Sequence, residues 1–120
     1  MPHVLKTLDQ LTWAFGGRVA LVRSDLQLSA FGAQLFDFRP GDGGPPEHDE
    51  SGSGQEELYF GLTGSGWIDI DGDRIPFGAE TLVSVPPGTR RKIHVGPNGL
   101  RYLCVGGVPG GAYSPPSKFA

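Results

Sequence analysis

Apolar residues in this chain gather in short runs, and nearly every run is closed by glycine, proline or aspartate. That rhythm predicts strands and turns. "RVALVR" (18–23) and "AQLFDF" (33–38) are β-branched and aromatic enough to be strands. The second ends at "RPGDGGPP", where proline and glycine interrupt ladder hydrogen bonding. "EELYFGLTG" (56–64) and "GWIDI" (66–70) follow as two strands separated by "GSG". Asp71-Gly72 then predicts a tight hairpin, because both residues tolerate positive φ. "ETLVSV" (80–85) is the next strand, stopped by "PPG". "RKIHV" (91–95), a "GPNG" turn and "LRYLCVGG" (100–107) complete the series. Ahead of it all, "VLKTLDQLTW" (4–13) spaces Leu5, Leu8 and Leu11 as a helical turn would, but it is too short to separate that from an irregular arm. Roughly seven to nine strands, with turns about every eight to twelve residues, predict an all-β sandwich or closed barrel.

Composition changes this picture little. The 20 glycines and 11 prolines could signal disorder, yet the apolar runs between them are those of an ordered β protein. With 120 residues the chain fits one domain, 1–120, with an N-terminal arm (1–17), a barrel core at about 30–107 and a turn-rich tail (108–120). A net charge of −3 gives no reason to expect nucleic acid or an anionic membrane as partner. The basic run Arg90-Arg91-Lys92 is no patch if it lies on a strand, since Arg91 then faces away from its neighbours. One cysteine, Cys104, excludes an internal disulfide framework and suits a reducing compartment. No run suits a signal peptide or a membrane span, so a cytoplasmic protein is expected.

Candidate chemistry centres on "GPPEHDESGSGQEELYFGLTGSG" (44–66), in which a single histidine stands among acidic residues just before an aromatic strand. Elsewhere the signals fail. Asp69, Asp71, Asp73 and Glu80 match a calcium-loop spacing, but Arg74 occupies the position that must be glycine. Ser51 and Ser53 have no base at a defined spacing, and Cys104 reads as a small buried side chain.

The strands, turns and spacings together resemble the cupin superfamily of small jelly-roll barrels (double-stranded β-helices), whose motifs are G(X)5HXH(X)3-4E(X)6G and G(X)5PXG(X)2H(X)3N. Glu57, six residues and Gly64 match the end of the first motif; Gly78 and Pro86-Pro87-Gly88 match the second with a longer spacer. Metal-binding relatives offer three histidines and a glutamate. Here only His48 fits the HXH element, "SGSG" lengthens the step to Glu57, and Arg91 stands in the last histidine slot. Arginine offers no lone pair to a cation.

The resemblance therefore implies a cupin with a degenerate metal motif, a homodimer, whose pocket holds a small organic ligand. Glu57, Tyr59 and Gly61 would face inward, as would Arg91, Ile93 and Val95, leaving His94 outside. A bidentate Arg91–Glu57 contact would replace the metal. On this reading no cofactor is expected. Glu57, His48 and Tyr59 are the candidate catalytic residues of a non-redox isomerase, cyclase or lyase; Arg91, Glu50 and Trp67 are the candidate substrate-binding residues, Arg91 taking an anionic group. A non-catalytic ligand-binding or interaction cupin is equally compatible. So is a metal-dependent dioxygenase or isomerase holding one divalent ion on His48, Glu50 and Glu57. Whether the protein is an enzyme stays open at this stage.

Overall fold

The computed structural model describes residues 3–116. In chain order it contains a 3-10 turn (Leu8–Gln10), β1 (Trp13–Ala14), β2 (Val19–Ala20), α1 (Val22–Leu26), β3 (Gly32–Phe38), β4 (Glu56–Ile70), β5 (Asp73–Gly78), β6 (Leu82–Val85) and β7 (Arg91–Gly107). All strand pairings are antiparallel, in the order β1-β2-β3-β7-β4-β5, with β6 on β4. No helix among the described residues is long and apolar enough to cross a membrane.

Two long strands organise the molecule. The first half of β4 lies between β6 and the second half of β7; its second half lies between β5 and the first half of β7. Tyr59 and Val85 from one ladder share a single buried cluster with Ile68, Phe77 and Ile93 from the other. The sheet is therefore folded over on itself, and the apolar faces of both halves meet inside. Stacked Phe36 and Tyr102 rings, 4.8 Å apart, carry the cluster across β3 and β7.

Register differs from simple alternation at one important place. Leu62 is an extra residue in β4 between the pairs Gly61–Tyr102 and Thr63–Arg101. A bulge of this kind reverses which face later residues occupy. Glu57, Tyr59 and Gly61 point inward before it; Ile68 points inward after it, so Trp67 and Asp69 point out. Nearby, the four residues 96–99 stand opposite the single residue Ser65. The expected breaks at "GSG" and "GPNG" are thus irregularities within continuous strands rather than chain reversals. Gly61 is required here for space: a Cβ at that position would lie 1.7 Å from the Gly78 carbonyl oxygen.

The Asp71-Gly72 hairpin forms as expected, with φ of 47° and 88°. "RVALVR" does not form one strand. Only Val19–Ala20 pairs, and Val22–Leu26 turns into α1, closed by Gln27 at φ 59°. Asp25 on α1 accepts hydrogen bonds from the Thr12 amide and hydroxyl, so the helix is tied back to the segment before β1. That partner is 13 residues away and is invisible to a local reading. Leu8–Gln10 forms the helical turn of the N-terminal segment, and β1 and β2 add to the sheet beside β3. Residues 1, 2 and 117–120 of the expected arm and tail lie outside the described residues.

Candidate functional site

A cavity of about 500 Å³ opens between β3, the inner face of β4 and β7, the 45–55 segment and the 113–116 tail. Its chemistry comes from strands whose alternation aims side chains inward. Glu57 and Tyr59 come from β4, and Tyr102 and Cys104 from β7, with Tyr59 directly opposite Cys104. The Tyr59 hydroxyl donates to Glu57 Oε1 at 2.5 Å, and the Cys104 thiol lies 3.5 Å from Glu57 Oε2. Burial pushes the Tyr59 phenol and the Cys104 thiol well up from their ordinary values, so both are neutral donors to the carboxylate.

His48 reaches this cavity because its backbone is clamped to β7. The His48 amide donates to the Arg91 carbonyl at 3.0 Å, and the Arg91 amide donates back at 2.9 Å. Two residues on, the Glu50 amide donates to the Pro87 carbonyl at 2.7 Å. The "SGSG" stretch folds over Glu50: Ser53 Oγ donates to Glu50 Oε1 at 2.7 Å, and the Gly54 amide to the Glu50 carbonyl, also at 2.7 Å. His48 Nε2 and Glu50 Oε2 then meet at 3.1 Å. Hydrogen bonding to Glu50 raises the His48 imidazole above its ordinary value, and the same contact holds Glu50 below its own.

Arg91 is 0% exposed and sits behind Glu57, not in the cavity wall. Its Nη2 lies 3.7 Å from Glu57 Oε1, whose side chain is 13% exposed. That nitrogen also donates to the carbonyls of Val85 (3.4 Å) and Pro86 (3.2 Å). The contact is one charged approach and not the bidentate pair expected from the sequence. Proline closing β6 leaves carbonyls turned inward, and these compete for the guanidinium. The positive charge nonetheless backs Glu57 from inside the barrel.

The structure thus brings His48, Glu50, Glu57 and Tyr59 to one cavity, with Arg91 beneath them. It does not bring Trp67 there. Beyond the Leu62 bulge Trp67 faces outward, stacked on His94 at 5.2 Å with the Arg74 guanidinium 4.8 Å from its ring centroid. His94 itself faces outward as expected, its Nε2 2.8 Å from an Asp69 oxygen. Tyr102 and Gln34 belong to the cavity wall and were not singled out from the sequence. They reach this wall only through the β3–β7–β4 register, which pairs Gln34 with Cys104 and Gly61 with Tyr102.

Ligand atoms of His48, Glu50 and Glu57 all lie within 4.8 Å of one another. This spacing and the mixed nitrogen and oxygen donors fit one divalent ion. The same residues also balance without it, Glu50 against His48 and Glu57 against Arg91.

No family model matches the chain, and no curated protein sequence matches it. Solved structures do. A cupin protein from Bacteroides fragilis is 21% identical with a TM-score of 0.76, over 97% of this chain and 92% of that one. A predicted oxalate decarboxylase from Thermotoga maritima is 22% identical with a TM-score of 0.62, over 75% and 80%. A Cupin 2 conserved barrel domain protein from Salinispora arenicola is 25% identical with a TM-score of 0.55, over 66% and 64%. The chain has the cupin jelly-roll fold.

Proposed function

We propose that this cupin binds a small organic molecule in the cavity and converts it by proton transfer without redox chemistry, as an isomerase, cyclase or lyase. The observation that carries this reading is Glu57: a carboxylate at the cavity wall, held by the Tyr59 hydroxyl and backed by a fully buried guanidinium. Such a group accepts a proton from a bound carbon or oxygen acid, and fixed donors around it lower the cost of reorganisation. His48, whose imidazole is raised above its ordinary value by the hydrogen bond to Glu50, is the matching acid at the mouth. Tyr59 positions Glu57. A solved neighbour described as a predicted oxalate decarboxylase, 22% identical, is one whose named reaction is likewise a lyase step.

The test uses enolisable carbonyl compounds incubated with the protein in deuterated water, followed by proton NMR. Exchange of α-protons is expected, unchanged by chelator and reduced about 100-fold or more in Glu57→Gln. Binding with no exchange for any compound would instead make this a non-catalytic ligand-binding cupin.

A second reading rests on the 4.8 Å grouping of donor atoms. There His48, Glu50 and Glu57 hold a divalent ion, which would polarise a substrate oxygen or activate water. Loss of exchange on chelation, restored by added metal, would select it. The cytoplasmic homodimer belongs to the proposal too. Phe31, Leu58 and Leu82 leave apolar area exposed on the outer face of the sheet, and light scattering in solution tests whether a second copy covers it.

A further inference from the structure

The inner end of the cavity is short of acceptors. Tyr102 is 0% exposed, its residue forms part of the cavity wall, and its hydroxyl has no hydrogen-bond partner among the described residues. Glu57, an acidic group of the same cavity wall, is already engaged by Tyr59 and Cys104. A buried hydroxyl without a partner is costly, and phenylalanine would fill the same space without that cost. Burial also pushes the Tyr102 phenol far above its ordinary value, so it remains a proton donor.

The surroundings limit what can accept that proton. Phe36 and Tyr59 flank the Tyr102 ring at 4.8 and 6.0 Å, which makes this end apolar. Glu50 and Glu57 both line the cavity and repel a negative charge. The basic groups in the same wall, His48 and Arg23, are engaged by the Glu50 carboxylate at 3.1 Å and the Leu28 carbonyl at 3.4 Å, respectively. Arg91 is not presented to a ligand, since it lies outside the cavity wall, its charge directed at Glu57 at 3.7 Å and at the Val85 and Pro86 carbonyls.

We infer that the cavity selects a neutral ligand with an apolar body and an oxygen acceptor, of the carbonyl or carboxamide kind, which takes the Tyr102 hydroxyl as donor. This rests on the cavity being the binding site and narrows its ligand class: the anionic group expected from the sequence is replaced by a neutral oxygen. Tyr102 is then a specificity-determining residue, placed so that the acceptor end lies deep and the rest of the ligand reaches Glu57.

Three probes of similar size separate the alternatives: benzamide, benzoate and toluene, titrated into the isotope-labelled protein and followed by amide NMR. Benzamide is expected to bind most tightly, shifting signals of residues 59, 102 and 104. Tyr102→Phe should weaken benzamide roughly 3- to 10-fold, the effect of one uncharged hydrogen bond, and leave toluene unchanged. If all three bind at these residues and Tyr102→Phe alters none of them, the hydroxyl is satisfied by water; the inference is then wrong while the cavity reading survives. Tighter binding of benzoate than benzamide would overturn the neutral-ligand claim in the same way. No shift at these residues from any probe would overturn both.

Discussion

Replacing Arg91 by methionine tests the arrangement behind the cavity. The substitution keeps a long apolar stem but removes a guanidinium that is 0% exposed and lies 3.7 Å from Glu57. Glu57 keeps its Tyr59 and Cys104 donors but loses the guanidinium beside its Oε1. Removing one partner of a buried ion pair costs about 3–5 kcal/mol, because the remaining charge is left uncompensated. The carbonyls of Val85 and Pro86 also lose their shared donor, worth about 1 kcal/mol or more where water cannot replace it. The single, rather long approach argues for the lower half of that range, so about 3–4 kcal/mol is expected by urea denaturation. Glu57→Gln in the same background should recover about 1–2 kcal/mol, since the stranded charge is removed with its partner. A loss below about 1 kcal/mol for Arg91→Met, with additive behaviour in the double variant, would refute the argument that Arg91 supplies the charge Glu57 requires.

Three other outcomes follow from separate parts of the molecule. Trp67→Ala should cost about 2 kcal/mol through loss of the His94 stack and of the area the indole buries, yet leave probe binding in the cavity unchanged; weakened binding would contradict its outward placement. Lys92 Nζ donates to the carbonyls of Gly43, Pro45 and Ile93 at 2.7, 2.8 and 3.1 Å, clasping the loop that leads into His48. Lys92→Met should therefore lower stability by about 1–2 kcal/mol and speed amide exchange over residues 42–48; unchanged exchange there would show the clasp to be idle. Asp42 accepts from Arg18 and from the Arg39 amide, and these bonds hold its carboxyl below the ordinary value of 3.8. A carboxyl depressed in the folded state adds stability that is fully present above its unfolded value and is lost as pH falls through its folded one. Asp42→Asn should thus lower stability at neutral pH and flatten its decline in acid, and a parallel pH profile for both proteins would exclude Asp42 as a contributor.

What could be read from the sequence was whatever depends on neighbours along the chain. Asp71-Gly72 announces its hairpin because the requirement for positive φ is local. Glu57, Tyr59 and Gly61 share a face, as do Arg91 and Ile93, because alternation holds within an uninterrupted stretch of strand. Trp67 shows where that logic stops. Counting by twos from Glu57 places it inside, and the single bulged residue Leu62 places it outside. Nothing about Leu62 as a residue type marks a bulge; it is set by the pairing of β4 with β7. The Tyr102 contribution failed to appear for a related reason, since the inward face of "LRYLCVGG" is fixed only by its partners on β3 and β4. His48 could be singled out but not placed. Its entry into the cavity depends on a two-bond backbone bridge to Arg91, 43 residues along the chain. The Arg91–Glu57 approach was legible, while its geometry was not, because the competing Val85 and Pro86 carbonyls belong to a different strand end.

The protein itself supplies the charge that Glu57 faces, and metal analysis tests this most directly. Protein purified without chelator should carry no stoichiometric divalent ion, and chelator treatment should leave both its thermal midpoint and benzamide binding unchanged. A divalent ion bound one per chain, lost together with the response of His48 and Glu57 signals on chelation, would contradict it.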